Sequence, residues 1–226
     1  LMRDLVGAYM ELASVSASPN GSNVGDIKTA SAMLKSAEAI VNRLLAEQPR
    51  DVETLVTAVE CYQRGAYLSI VPALAENGVK LAHKAVELSE RLAVVSPGDR
   101  ANDEIARSKT ALGDMLSSDP AKRIALYEEA RKIWEDRLNR SGGSPTELRS
   151  KITVLNRNLA DALGNTGDFR KSLEYASAAH ELDKLRYAAN PQSPRALMAF
   201  SFDLGLMARA YSGLGERAHA RDLLRR

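Results

Sequence analysis

Turn-forming clusters recur along this chain at intervals of about forty to fifty residues, and between them the apolar residues keep a three-and-four spacing. Leu34, Ala37, Ile40, Val41, Leu44 and Leu45 show that spacing, as do Val79, Leu81, Ala82, Ala85, Val86, Leu88 and Leu92. It is the period of a helix with one buried face. Alternating β-branched and aromatic runs are missing; only Leu68 to Val71 hints at a strand, and it continues a helical pattern. The expected class is therefore all-α.

Breaks fall at Ser16 to Gly25, Gln48 to Asp51, Val71 to Gly78, Ser96 to Asp99, Ser117 to Pro120, Ser141 to Pro145, Asn165 to Asp168, Asn190 to Pro194 and Gly213 to Gly215. Each is rich in Gly, Pro, Ser, Asn or Asp, which stop helices or supply positive φ. Ten helices follow, read as five antiparallel pairs: roughly 1–15 with 26–48, 51–70 with 73–95, 100–117 with 120–140, 145–164 with 168–190, and 194–213 with 216–226. The turns inside the pairs lie near Gly25, Gly78, Ser118, Gly167 and Gly215, a regularity that a single globular bundle does not require. One repeat domain over 1–226 is expected, with units at about 1–49, 50–98, 99–143, 144–192 and 193–226.

Within those units, Leu159-Ala160, Leu163, Gly167-Asp168-Phe169, Ala176 and Ala179 resemble a tetratricopeptide repeat (TPR): a large-small pair in the first helix, Gly-Asp-aromatic at the turn, small residues in the second helix. Ala208, Tyr211, Leu214-Gly215 and Ala220 follow the pattern. So do Leu5, Tyr9, Leu12, Gly25-Asp26-Ile27, Ala30, Leu34 and Ala37, around an insertion from Ser16 to Val24, while Tyr127 and Ala130 match part of a third unit. The resemblance implies a right-handed alpha-alpha superhelix of about five helix pairs, in which small residues allow close approach and large ones fill the grooves. The units exceed the family's 34 residues, with second helices continued to Pro49, Pro97 and Pro191. In that respect they are similar to the TPR regions behind eukaryotic-like serine/threonine kinases of bacteria. The chain opens at Leu1 without an initiator methionine and stops within an amphipathic pattern, Glu216 to Arg226, so it reads as a piece of a longer protein whose catalytic domain lies elsewhere.

Little in the sequence suggests chemistry. His83, His180 and His219 stand apart, without the three or four converging ligands that a metal needs. Cys61 has Glu60, Tyr62 and Gln63 beside it and no activating cation, and reads as a core residue. No phosphate-cradling glycine motif is present; Ser141-Gly142-Gly143-Ser144-Pro145 follows a helix and lacks the lysine. The carboxylate pairs Asp103-Glu104, Glu128-Glu129 and Glu135-Asp136 alternate with Lys and Arg and read as solvated helix faces. Trp134, Tyr127, Tyr175 and Tyr187 read as packing residues, and Phe200 and Phe202 must face different ways, leaving at least one exposed or covered by another molecule. No catalytic residue, cofactor site or metal site is assigned.

Lys plus Arg number 31 against 29 Asp plus Glu, a net charge of +2, too small a field to attract a phosphate backbone; nucleic acid is not an expected partner. No apolar run approaches the ~20 residues that span a bilayer, and a lone cysteine suggests a cytoplasmic setting. The expected role is a protein-protein interaction module, the scaffold or sensor arm of a signalling protein that binds a protein or peptide. A structural element that self-associates through its open ends is the alternative, and a small-molecule-sensing solenoid a further one. The family's groove positions map onto Arg3 in the first unit, Arg157 and Asp161 in the fourth, and Phe202 and Arg209 in the fifth. The Lys/Asn clamp by which some members hold a C-terminal carboxylate is not reproduced there, which implies a mixed-charge groove.

Overall fold

The computed structural model describes residues 1–17, 24–70, 77–141 and 146–225. The insertion at Ser16 to Val24, the break after Leu68 to Ile70 and the linker at Gly142 to Pro145 lie wholly or partly outside the described residues. Ten helices and no strand are found among those described: α1 (Met2–Ala17), α2 (Ile27–Glu47), α3 (Val52–Leu68), α4 (Gly78–Val95), α5 (Asp99–Met115), α6 (Pro120–Arg140), α7 (Thr146–Thr166), α8 (Phe169–Ala189), α9 (Pro194–Gly213) and α10 (Arg217–Leu223). No helix among them is long and apolar enough to cross a membrane.

The boundaries are written in the caps. Asp26, Asp51, Asp119, Asp168 and Ser193 each accept a hydrogen bond from the backbone N–H three residues on, which satisfies one of the orphan donors of the first turn. Pro120 and Pro194 occupy first helical positions, where a missing N–H costs nothing. The turns at Gly25, Gly167 and Gly215 share one geometry. Each glycine has φ between 72° and 86°, and its carbonyl accepts from Ile27, Phe169 and Arg217 respectively at 2.9–3.1 Å. A side chain there would be strained, which is why glycine recurs at the same place in three pairs.

The chain divides into two compact units, residues 1–117 and 118–226. In the first, α1 packs on α2, α3 on α4, α3 also on α1 and α2, and α5 on α3 and α4. Val6, Met10, Val41, Leu55, Val59, Leu88 and Leu92 form its core around Ala37, Ala58 and Ala85. The alanines matter as much as the large residues, because without them the helix axes could not approach closely. In the second, α6 packs on α7, α7 on α8, α9 on α7 and α8, and α10 on α9. Leu155, Leu159, Ala160, Ala176 and Ala179 are fully buried there, and the Ser172 hydroxyl donates to the Ala160 carbonyl at 2.7 Å, tying α8 to α7.

Tyr127 and Trp134 are buried as expected, and Tyr175 and Tyr187 are half-buried. Leu5 and Leu12, assigned by the resemblance to packing positions, lie exposed on α1. The Asp103-Glu104 pair corrects the reading of a solvated face: both carboxylates are buried on α5, since α3 and α4 cover the side of α5 that carries them. Gln63 of α3 donates to the Glu104 carboxylate at 3.1 Å and to its carbonyl at 3.2 Å, and Arg107 pairs with Asp103 at 2.9 Å. Burial pushes the Glu104 carboxyl above the ordinary range, against the pull of Arg107 and of the Gln63 hydrogen bond.

Candidate functional site

Where the first helices of successive pairs meet, polar side chains reach from one to the next. In the first unit Arg3 Nη1 lies 2.7 Å from Asp51, Arg64 Nη1 lies 2.5 Å from Glu11, and Arg100 forks onto Glu53 at 2.6 and 3.1 Å. In the second, Arg157 Nε meets Asp203 at 2.6 Å and Arg209 Nη2 meets Asp161 at 3.0 Å. Partners in each pair lie about one repeat unit apart, so a contact of the same kind joins α1 to α3 and α3 to α5 in the first unit and α7 to α9 in the second. Exposed members such as Arg3 and Asp51 hold register and contribute little stability.

Arg157 is different in kind. Its side chain is 16% exposed and bridges two carboxylates, Asp183 on α8 at 1% and Asp203 on α9 at 0%. Arg186 closes the group, 3.0 Å from Asp183 and hydrogen-bonded to Ser150 of α7. Burial raises the Asp203 carboxyl above its ordinary range, while the Arg157 hydrogen bond and charge work in the opposite direction. One guanidinium thus joins three helices and leaves little of itself for a ligand.

The structure brings four of the five sequence-assigned residues onto these helix junctions. Arg3 is exposed and pairs with Asp51; Arg157 is half-buried between two buried aspartates. Asp161 and Arg209 pair with each other, and Arg209 also donates to the Asp161 carbonyl at 3.1 Å and lies across Gly164, where a Cβ would come within 2.8 Å of its Nη2. Phe202 is 56% exposed, while Phe200 stacks on Tyr187 at 5.1 Å and tilts against His180 at 4.8 Å. Sequence reasoning missed Asp183 and Asp203. Their only sequence signal is a carboxylate set among apolar neighbours, as in Phe202-Asp203-Leu204.

A wide opening of about 940 Å³ lies between α9 and α10 beside the start of α8. Phe169, Ala208, Ala220 and Leu224 provide its apolar floor. Arg209, Arg217 and Arg221 provide its charge, and among the described residues no carboxylate lines it. The Phe169 ring seats on Gly213 so closely that a Cβ there would fall 2.3 Å from the ring. Phe202 is not among the lining residues; it lies one turn before Gly205 and two before Arg209 on α9. A smaller opening of about 190 Å³ between α1 and α3 has Met10 and Cys61 at its floor and Arg3, Glu11, Glu60 and Arg64 about it. The Cys61 thiol, 3.8 Å from the Met10 sulfur, is pushed up to about 12 by burial and stays protonated at neutral pH. Among the described residues no three His, Cys, Asp or Glu side chains converge as metal ligands. His83 is exposed and His219 contacts Glu216 at 2.8 Å.

Pairs of helices stacked through first-helix contacts, with a small-residue second helix behind, find counterparts among solved structures. The chain is similar to a putative kinesin light chain with nearly identical TPR-like repeats from Podosopora anserina, at 17% identity and TM-score 0.58, over 99% of this chain and 90% of that one. It is similar to BtubC (BKLC) from P. vanneervenii, at 15% identity and TM-score 0.60, over 99% and 87%. It is also similar to the MamA protein, at 16% identity and TM-score 0.52, over 98% and 89%. The fold is the TPR-like helical repeat. No protein-family model and no curated protein matches the sequence.

Proposed function

We propose that this TPR-like chain is a protein-binding module, without catalysis of its own, whose recognition surface runs from the exposed Phe202 into the α9/α10 groove. The observation that carries the reading is that groove, an apolar floor with three arginines about it, together with an exposed aromatic one turn earlier on α9, the composition by which protein surfaces anchor a partner. The fold supports it, since TPR-like repeats present extended grooves rather than catalytic centres. A scaffold or sensor arm in a bacterial signalling protein, in the cytoplasm and attached to a serine/threonine kinase, is the setting that the long units and the single cysteine support.

Peptide-display selection against the folded chain tests the reading. Enriched sequences should bind the wild-type chain and lose at least tenfold in affinity for Phe202→Ala, as a central aromatic anchor would. A selection that enriches nothing on a folded chain contradicts it.

A second reading is favoured by one observation on α1. Leu1, Leu5, Ala8, Leu12 and Val15 are all exposed at alternating four-and-three spacing, the pattern of a helix-pairing seam. Self-association through that stripe would appear as a mass that rises with concentration in light scattering, and a constant monomer mass would dispose of it.

A further inference from the structure

We infer that the pocket between α7, the end of α8 and the start of α9 binds a phosphate monoester, held by the guanidinium groups of Arg186 and Arg195. None of its lining residues belongs to the α9/α10 groove, so the inference stands independently of what that groove binds.

The pocket encloses about 470 Å³, within the range of roughly 300–1,000 Å³ usual for small-ligand sites. Three elements supply its polar groups: Ser150 and Arg157 come from α7, Asp183 and Arg186 from α8, and Ser193 and Arg195 from the start of α9. The buried carboxylate fixes its neighbours in place. Asp183, 1% exposed, holds both Arg157 and Arg186, and the Ser150 hydroxyl accepts from the other terminal nitrogen of Arg186. Arg157 is spent as a strut, because Asp203 takes its Nε–H as well, at 2.6 Å. A guanidinium that is already fixed, as Arg186 is, loses little freedom when a ligand arrives.

Uncommitted donors then select the ligand. Arg186 gives one N–H of Nη1 to Asp183 and one of Nη2 to Ser150, and keeps its Nε–H and the second N–H of each terminal nitrogen. The Arg195 guanidinium has no hydrogen-bond or ion-pair partner among the described residues, and neither has the Asn190 carboxamide, which also lines the pocket. The Ser193 oxygen accepts from the Ala196 N–H at 3.3 Å and leaves its own O–H free to donate. These last groups sit at the first turn of α9, where a helix of 20 residues adds positive partial charge. Three arginines set against Asp183 and Asp203 leave the cluster with an excess of positive charge, so it takes an anion. A carboxylate has two oxygens, and a single guanidinium fork occupies both. A phosphate monoester carries about −1.5 to −2 charges at neutral pH and three terminal oxygens, which can accept from Arg186, Arg195 and Ser193 together.

The test is a phosphorus NMR titration of the whole chain with two probes, O-phospho-L-serine and a heptapeptide carrying one central phosphoserine, each repeated with L-glutamate as competitor. Both resonances should shift or broaden saturably. Arg195→Ala removes an exposed side chain without a partner, so it should keep the wild-type melting curve while weakening both probes roughly tenfold or more, the loss of a charge-assisted hydrogen bond. Arg217→Glu plus Arg221→Glu should leave both affinities unchanged. Tighter binding of the peptide would assign the site to a phosphorylated partner protein, and tighter binding of phosphoserine to a small phosphate ester; either result supports the pocket. Absence of binding by both probes, their displacement by an equal concentration of L-glutamate, or an unchanged affinity in Arg195→Ala would overturn the inference. So would a loss in the double variant, which would put the phosphate in the α9/α10 groove.

Discussion

Removing the Arg157 guanidinium would leave Asp183 and Asp203 buried without their shared cation. Arg157→Met should therefore cost about 3–5 kcal/mol, the range for breaking one side of a buried ion pair, and urea unfolding would read it directly. Arg157→Lys keeps the charge but not the fork, and should fall between that variant and the wild type. Arg3→Ala, on an exposed pair of the same pattern, should hardly move the melting temperature. Glu104 behaves in the opposite sense. Its folded-state pKa is raised by burial, so the folded chain holds that proton to higher pH than the unfolded chain. The associated stability is fully present below the unfolded-state carboxylate range and is lost as pH rises through the folded pKa. Glu104→Gln should accordingly raise the melting temperature at pH 7 by a few degrees, keep the hydrogen bond from Gln63, and give a smaller gain at pH 4. A destabilised variant at pH 7 would show that Arg107 and Gln63 outweigh the burial. Neither the Arg157 group nor the buried Glu104 was legible in the sequence. The family resemblance assigns Arg157 to a first-helix groove position, but which carboxylates descend on it depends on how α8 and α9 pack, and nothing local in the sequence encodes that.

The helices themselves were largely legible, for physical reasons that can be read off particular residues. An Asp or Ser caps the start of α2, α3, α6, α8 and α9, and each was visible as a turn residue before an apolar run. Small residues assigned to close approach, Ala30, Ala37, Ala130, Ala160, Ala176, Ala179, Ala208 and Ala220, are all buried. Spacing was less informative about α1, where Leu5 and Leu12 belong to a stripe that no helix among the described residues covers. Two glycines on helices separate packing from propensity. Gly213→Ala would drive a methyl into the Phe169 ring and should destabilise by about 1–3 kcal/mol, the usual cost of overpacking. Gly7→Ala, where a Cβ meets open space, should stabilise by about 0.5–1 kcal/mol through helix propensity alone. Thermal melts of the two variants should move in opposite directions, and a shared sign would mean that the Phe169 contact yields without cost.

At the scale of the molecule, the fold class follows from the repeat of turns and helical spacing, whereas the binding surface does not. Repeat patterns fix the positions that pack, and a partner is chosen by the positions left over. Of the five residues assigned from sequence, Arg3, Arg157, Asp161 and Arg209 are engaged in holding neighbouring first helices together, and Phe202 alone projects free of such a pair. The arginines that line the groove without a partner among the described residues are Arg217 and Arg221, on a helix of seven residues where the repeat pattern marks only the packing position Ala220. The most direct measurement compares binding of one display-selected peptide to the wild-type chain, Arg3→Ala, Phe202→Ala and Arg217→Glu plus Arg221→Glu at matched ionic strength. Losses in the last two variants with Arg3→Ala unchanged are the expected result; full binding by both of them, with loss in Arg3→Ala, would place recognition on the first unit and contradict the assignment of the α9/α10 groove.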